Sequence, residues 1–265
     1  TTPLYWGDQP FVEATPYVGV SVVLLALLGL FLIKGRLRWW LIGGMVLSLL
    51  LSWGKNFDGL THFFVDYVPL YNKFRAVSSI QVLLEFLIPI AAVFGLHRFY
   101  NDRVDVKVKT KKLLIATGII GGLCTIFYLL GGNLFLFRSA AEAPMAIKQP
   151  EILNAIKADR ISIMKSDSLS SLLFVILVAG VLWLTLKKKL SENMSVALIA
   201  LVLMIDLVSV DRQSVNEDDF ITEREYAKNF QPTEADNKIM EDDGYFRVLD
   251  LYRGFNNSHT SYFFN

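Results

Sequence analysis

Residues 113–137 read LLIATGIIGGLCTIFYLLGGNLFLF, 25 positions without a charged side chain. At about 1.5 Å of helical rise per residue the run is about 37 Å long, enough for a hydrocarbon core of roughly 30 Å. Its apolar residues form no stripe at period 3.6 with a polar face opposite, so the segment is expected to be covered by lipid and other helices. Five further segments meet or approach this length: 17–33, 37–53, 77–96, 168–186 and 194–210. Pro16 stands where proline favours the start of a helix. The expected fold is an all-α polytopic membrane protein with about six transmembrane helices.

The bulk composition agrees with this reading. Of 265 residues, 53% are hydrophobic and only 19% charged, with the charges gathered between the apolar blocks. A mean hydropathy of +0.42 is too high for a water-solvated surface on a chain of this length. A formal net charge of +1 argues against nucleic acid as a partner. The single cysteine, Cys124, lies inside the apolar run quoted above and reads as a small buried hydrophobe.

Lysine and arginine set the expected orientation. Lys34, Arg36 and Arg38 follow the first segment; Arg98, Arg103, Lys107, Lys109, Lys111 and Lys112 follow the third; Lys187, Lys188 and Lys189 follow the fifth. All three clusters fall on one side, which the positive-inside rule makes cytoplasmic. Both ends of the chain then face out. Trp39, Trp40 and Trp53 bracket the second segment at headgroup depth. The organisation expected is an extracytoplasmic lead-in over 1–16, a transmembrane domain over 17–210 and the start of an outer domain over 211–265. Within the last, 245–252 suggests a short strand, so that domain is expected to contain β structure. The opening Thr1-Thr2-Pro3 and the closing Phe263-Phe264-Asn265 read as cuts through a longer protein.

Both longer outer loops are expected to be helical. Over 60–68, Leu60, Phe63, Phe64 and Tyr67 share one side while Asp58, His62 and Asp66 recur at i, i+4, i+8 on the other, as in an interfacial helix ended by Pro69. Over 150–166, Pro150 opens a helix whose Ile152, Ile156 and Ile163 could lie across the bundle as a lid.

Three groups of residues could carry chemistry. Asp58, His62 and Asp66 are spaced so that carboxylate and imidazole meet, which suits a general base or, with a divalent cation, a metal site; the same pattern is also the ordinary polar side of an interfacial helix. Lys73 and Arg75, beside Tyr71 and Phe74, stand above the third segment where the phosphate of a lipid would lie, and equally fit snorkelling anchors. Glu85, in a polar stripe with Ser78 and Gln81, is costly in lipid and needs a cavity or a partner, whether for substrate or for packing. Asp206 reads as structural. No phosphate loop, dinucleotide fingerprint, hydrolase elbow or Cys/His metal spacing is present, and three histidines, His62, His97 and His259, are too few for a histidine-rich metal centre.

Tyr5-Trp6-Gly7-Asp8-Gln9-Pro10-Phe11 with Tyr17-Val18-Gly19, then Tyr71-Asn72-Lys73-Phe74-Arg75-Ala76-Val77-Ser78 leading into the segment with Glu85, then Arg247-Val248-Leu249 with Asn256 and Thr260-Ser261-Tyr262-Phe263, together resemble the YfhO family of bacterial membrane proteins. The resemblance implies a longer protein of the bacterial cytoplasmic membrane with a GT-C glycosyltransferase-like membrane domain. It further implies transfer of a sugar from a polyprenyl-phosphate donor to a cell-envelope glycan or lipid acceptor. On that footing Asp58, Asp66 and His62 are the candidate catalytic residues, and Lys73, Arg75, Tyr71 and Glu85 the candidate substrate-binding residues. The family's main catalytic acid would precede Thr1. Relatives carry Pro and a second Arg where this chain has Val77 and Ser79, which leaves phosphate binding to Arg75 and Lys73. Two other classes stay open: a transporter or flippase of a lipid-linked glycan, and a non-catalytic membrane scaffold.

Overall fold

The computed structural model describes residues 6–7, 17–73, 77–101, 103–139, 142–214, 220–228, 230–242, 244, 248–249, 251 and 262. The chain divides into two compact units, Thr1–Asp211 and Arg212–Asn265.

The first unit is built from α1 (Val20–Leu32), α2 (Arg36–Ser52), α3 (Asp58–Tyr67), α4 (Gln81–Tyr100), α5 (Val106–Leu134), α6 (Ala143–Lys148), α7 (Pro150–Leu186) and α8, which starts at Glu192 and runs to Ser214. Among the described residues every regular element is helical. Among the described residues, four helical stretches are long and apolar enough to cross a membrane: Ser78–Tyr100, Val106–Leu134, Pro150–Leu186 and Glu192–Arg212. Within their most apolar windows only 17% to 22% of residues are buried by protein, so lipid must cover the rest. The chain is a multi-pass membrane protein, all-α among the described residues.

The expectation of six spans is met in part, by four to five helical spans among the described residues, and the structure differs from it at two places. Residues 36–67 form a helix pair bent by 112°, which passes as a single broken span. The break sits at Gly54, whose φ of 50° is left-handed and suits glycine. Thr61 locks the bend by donating its hydroxyl to the Gly54 carbonyl at 2.8 Å. A helix is thus present after the second segment, as α3.

The other departure is α1, with 13 helical residues where 17–33 suggested a span. Gly19, at φ 83°, interrupts the backbone, and residues 17–19 lie outside the helix. About 20 Å of helix cannot cross a bilayer alone. It does not need to, because protein surrounds it: Leu24, Leu25, Leu28, Leu32 and Ile33 are all buried. A helix apolar all round belongs in a core.

Close helix crossings explain several glycines. A Cβ at Gly95 would stand 2.5 Å from the Gly29 Cα, so α1 and α4 meet backbone to backbone. In α5, Gly131 sits against Met164 of α7, and Gly121 against Leu172 and Val175. Small residues at such crossings let helices approach where lipid supplies no hydrophobic driving force. Tyr100 meets Ser195 at 2.8 Å while Tyr17 meets Asp206 at 2.6 Å, so α1 and α4 run in one direction and α8 in the other.

The lid expected over 150–166 is instead the first part of α7, a 37-residue helix continuous with the fifth apolar segment. Nothing between Ile163 and Ser168 breaks a helix. At about 55 Å, α7 outreaches a bilayer by several turns.

In the second unit, α9 (Glu223–Lys228) and α10 (Glu234–Ile239) are short. A reciprocal capping box between Thr233 and Asp236 opens α10, and Phe230 packs between Tyr226 and Tyr262. The strand expected at 245–252 falls largely outside the described residues. Among the described residues there is no strand, and Val248, Leu249 and Leu251 are non-helical and unpaired in any ladder.

Candidate functional site

The bend at Gly54 turns α3 away from the axis of α2 and places Asp58 in its first turn, where the helix N-terminus favours a carboxylate. One turn on, the His62 Nε2 donates to Asp58 Oδ1 at 3.1 Å, with both side chains about two-thirds or more exposed. The structure therefore assembles two members of the expected triad. Asp66, a further turn along, is exposed and makes no hydrogen bond or ion pair among the described residues. The opposite side of α3 is a run of aromatic contacts, Phe63 on Tyr67 at 5.4 Å and Phe64 on Tyr71 at 5.3 Å. Rings of this kind settle at the membrane boundary.

After Val68 the chain enters a short 3-10 turn, Tyr71–Lys73, which brings Tyr71 back under α3 and leaves the Lys73 ammonium exposed. Arg75 lies outside the described residues. No cluster of three or more His, Cys, Asp or Glu suited to a metal ion exists among the described residues. Asp58 and His62 supply two donors, short of what a divalent cation usually takes from a protein.

Glu85 is half-buried on α4. It shares a helical face with Ala92 and Phe99, which are buried at heptad intervals below it. With Gly29 set against Ala91 and Gly95, the first turn of α1 falls opposite residues near 85, about 6 Å from the α4 N-terminus. Glu85 thus lies level with the first turn of α1.

The first turn of α1 leaves amide groups without partners inside the helix. Asp206 of α8, 1% exposed, answers this need. Its Oδ2 accepts the Ser21 backbone N–H at 3.1 Å and its Oδ1 accepts the Tyr17 hydroxyl at 2.6 Å. Asp206 caps α1 from another helix, and the α1 dipole offsets the cost of a carboxylate in lipid. Its placement near the end of an apolar run marked it as structural, but the sequence carried no sign of its partners.

A second polar centre went unseen in the sequence. Arg160, on the part of α7 read as a lid, has a side chain with no exposed surface. It donates to both Glu142 oxygens, at 2.7 and 3.0 Å, and to the Phe137 carbonyl at 2.8 Å. The Trp6 ring lies over its guanidinium at 5.9 Å. The Arg160 guanidinium, aided by the Ser139 amide, holds the Glu142 carboxyl below the usual range. One arginine thereby gathers the segment after α5, α6 and part of the lead-in onto α7. Arg160 had no periodic partner to betray it, since Glu142 lies 18 positions away.

Comparison with family models, with curated proteins and with solved structures finds no match to this chain.

Proposed function

We propose that this chain is the membrane part of a GT-C-like glycosyltransferase, akin to the YfhO proteins it resembles. It would move a sugar from a polyprenyl-phosphate donor to an envelope acceptor on the extracytoplasmic face of the bacterial cytoplasmic membrane. The observation that carries this reading is the exposed Asp58–His62 pair on a helix turned out of the bundle, followed within one short loop by Tyr71 and Lys73. An acid–base couple and a phosphate-binding cation at the membrane boundary are what a lipid-phosphate sugar and a hydroxyl acceptor require.

In the proposed reaction the acceptor oxygen bonds to the anomeric carbon and the bond from that carbon to the lipid phosphate breaks. Asp58, oriented by His62, takes the hydroxyl proton, and the phosphate leaves with its bonding electrons beside Lys73 and Arg75. Asp66 stands on the same helix as a second carboxylate for the acceptor. Tyr71 and Glu85 contact the lipid-linked donor below. A divalent cation, if one takes part, would need donors beyond Asp58 and His62.

Transfer of labelled sugar in membranes carrying the full-length protein tests this. Asp58→Asn should lower the rate about 100-fold, the usual worth of a positioned general base, and Lys73→Ala or Arg75→Ala should slow it too. Unchanged transfer by Asp58→Asn and Lys73→Ala at normal membrane levels would move the protein to the transporter or scaffold classes.

A further inference from the structure

The first turns of α5 carry four lysines that point to two sides. Lys109 is buried and lies over the Phe99 ring at 5.9 Å, and Lys112 lies over Phe31 at 5.4 Å, so these two help close the bundle. Lys107 and Lys111, one turn apart, face the other way. With Lys187, just past the end of α7, they border an open surface groove of about 620 Å³. Thr110 adds a hydroxyl to the lining. None of the three lysines makes an ion pair among the described residues, although Lys187 also lies over the Trp183 ring at 5.6 Å, and no acidic side chain lines the groove.

The remaining wall is apolar. Leu114 and Ile115 lie one turn further into the span and are 63% and 38% exposed, continuous with the lipid-facing surface of α5. A ligand filling this groove would meet cations at the water side and hydrocarbon contacts at the membrane side. A free phosphate satisfies only the first half. We infer that the groove formed by Lys107, Lys111, Thr110 and Lys187 binds the phosphate headgroup of an anionic phospholipid in the adjoining leaflet, with an acyl chain along Leu114 and Ile115. Basic pockets between membrane helices recognise anionic headgroups in this way. The site lies at the opposite end of the bundle from α3 and is independent of the sugar-transfer reading.

The test uses the full chain in nanodiscs with increasing phosphatidylglycerol in phosphatidylcholine, scored by native mass spectrometry as retained phosphatidylglycerol per protein. A charge near an anionic surface is worth about fivefold in affinity, so replacing Lys107, Lys111 and Lys187 together by Ala should weaken retention at least tenfold. Replacing the same three by Arg should keep it. Lys188→Ala with Lys189→Ala removes charge from the same boundary outside the groove and should change little. Equal loss in that control would overturn the inference, as would undiminished retention by the triple Ala variant. Displacement of the lipid by millimolar inorganic phosphate would also overturn it, since the groove would then be a soluble-anion site.

Discussion

Removing the Asp206 carboxylate would leave the buried Ser21 amide without its partner and take one from the Tyr17 hydroxyl. A buried donor left unpaired costs about 1–3 kcal/mol. Asp206→Ala should therefore lower the thermal midpoint of the purified protein clearly, whereas Tyr17→Phe, which leaves the Ser21 bond in place, should cost only about 1 kcal/mol. Equal midpoints for Asp206→Ala and the parent would refute the capping role. Glu142 makes a prediction in pH. Its carboxyl is held down by Arg160, so its contribution to stability is complete above the unfolded glutamate value, about 4.3, and is lost as pH falls through the lower folded value. Thermal midpoints followed from about pH 6 to about pH 3 should fall less steeply for Glu142→Gln than for the parent.

At the scale of elements, the crossing of α1 and α4 depends on two glycines whose backbones touch. Gly95→Leu should force the pair apart at a cost of about 3 kcal/mol or more, read as loss of folded protein in detergent, because the obstructing atoms are backbone. Gly43→Ala, on an open face of α2, should be tolerated. The apolar runs in the sequence located all these helices, since hydropathy reports burial away from water irrespective of what does the burying. For the same reason they could not separate α1, buried by protein, from α5, buried largely by lipid. The two-sided character of α3 was legible from the spacing of Phe63, Phe64 and Tyr67 against Asp58 and His62. The continuity of α7 was not, because Lys165, Ser166 and Asp167 read as a boundary although all three are accepted within a helix.

At the scale of the whole molecule, polar chemistry concentrates at the two ends of the bundle. One end carries α3, the Asp58–His62 pair and the Arg160 centre; the other carries the lysine clusters and the groove between α5 and α7. The candidate site was legible as residue types at helical spacing, but that spacing offers His62 both Asp58 and Asp66, and only the structure shows the contact with Asp58. The proposed function depends on α3 lying outside the cell membrane, and that placement can be measured directly. In intact bacterial cells expressing a Cys124→Ser background, a membrane-impermeant maleimide should label Asn56→Cys beside α3, and should label Lys189→Cys only after the membrane is permeabilised. Labelling of Lys189→Cys in intact cells, with Asn56→Cys protected, would contradict the account by placing the Asp58–His62 pair in the cytoplasm.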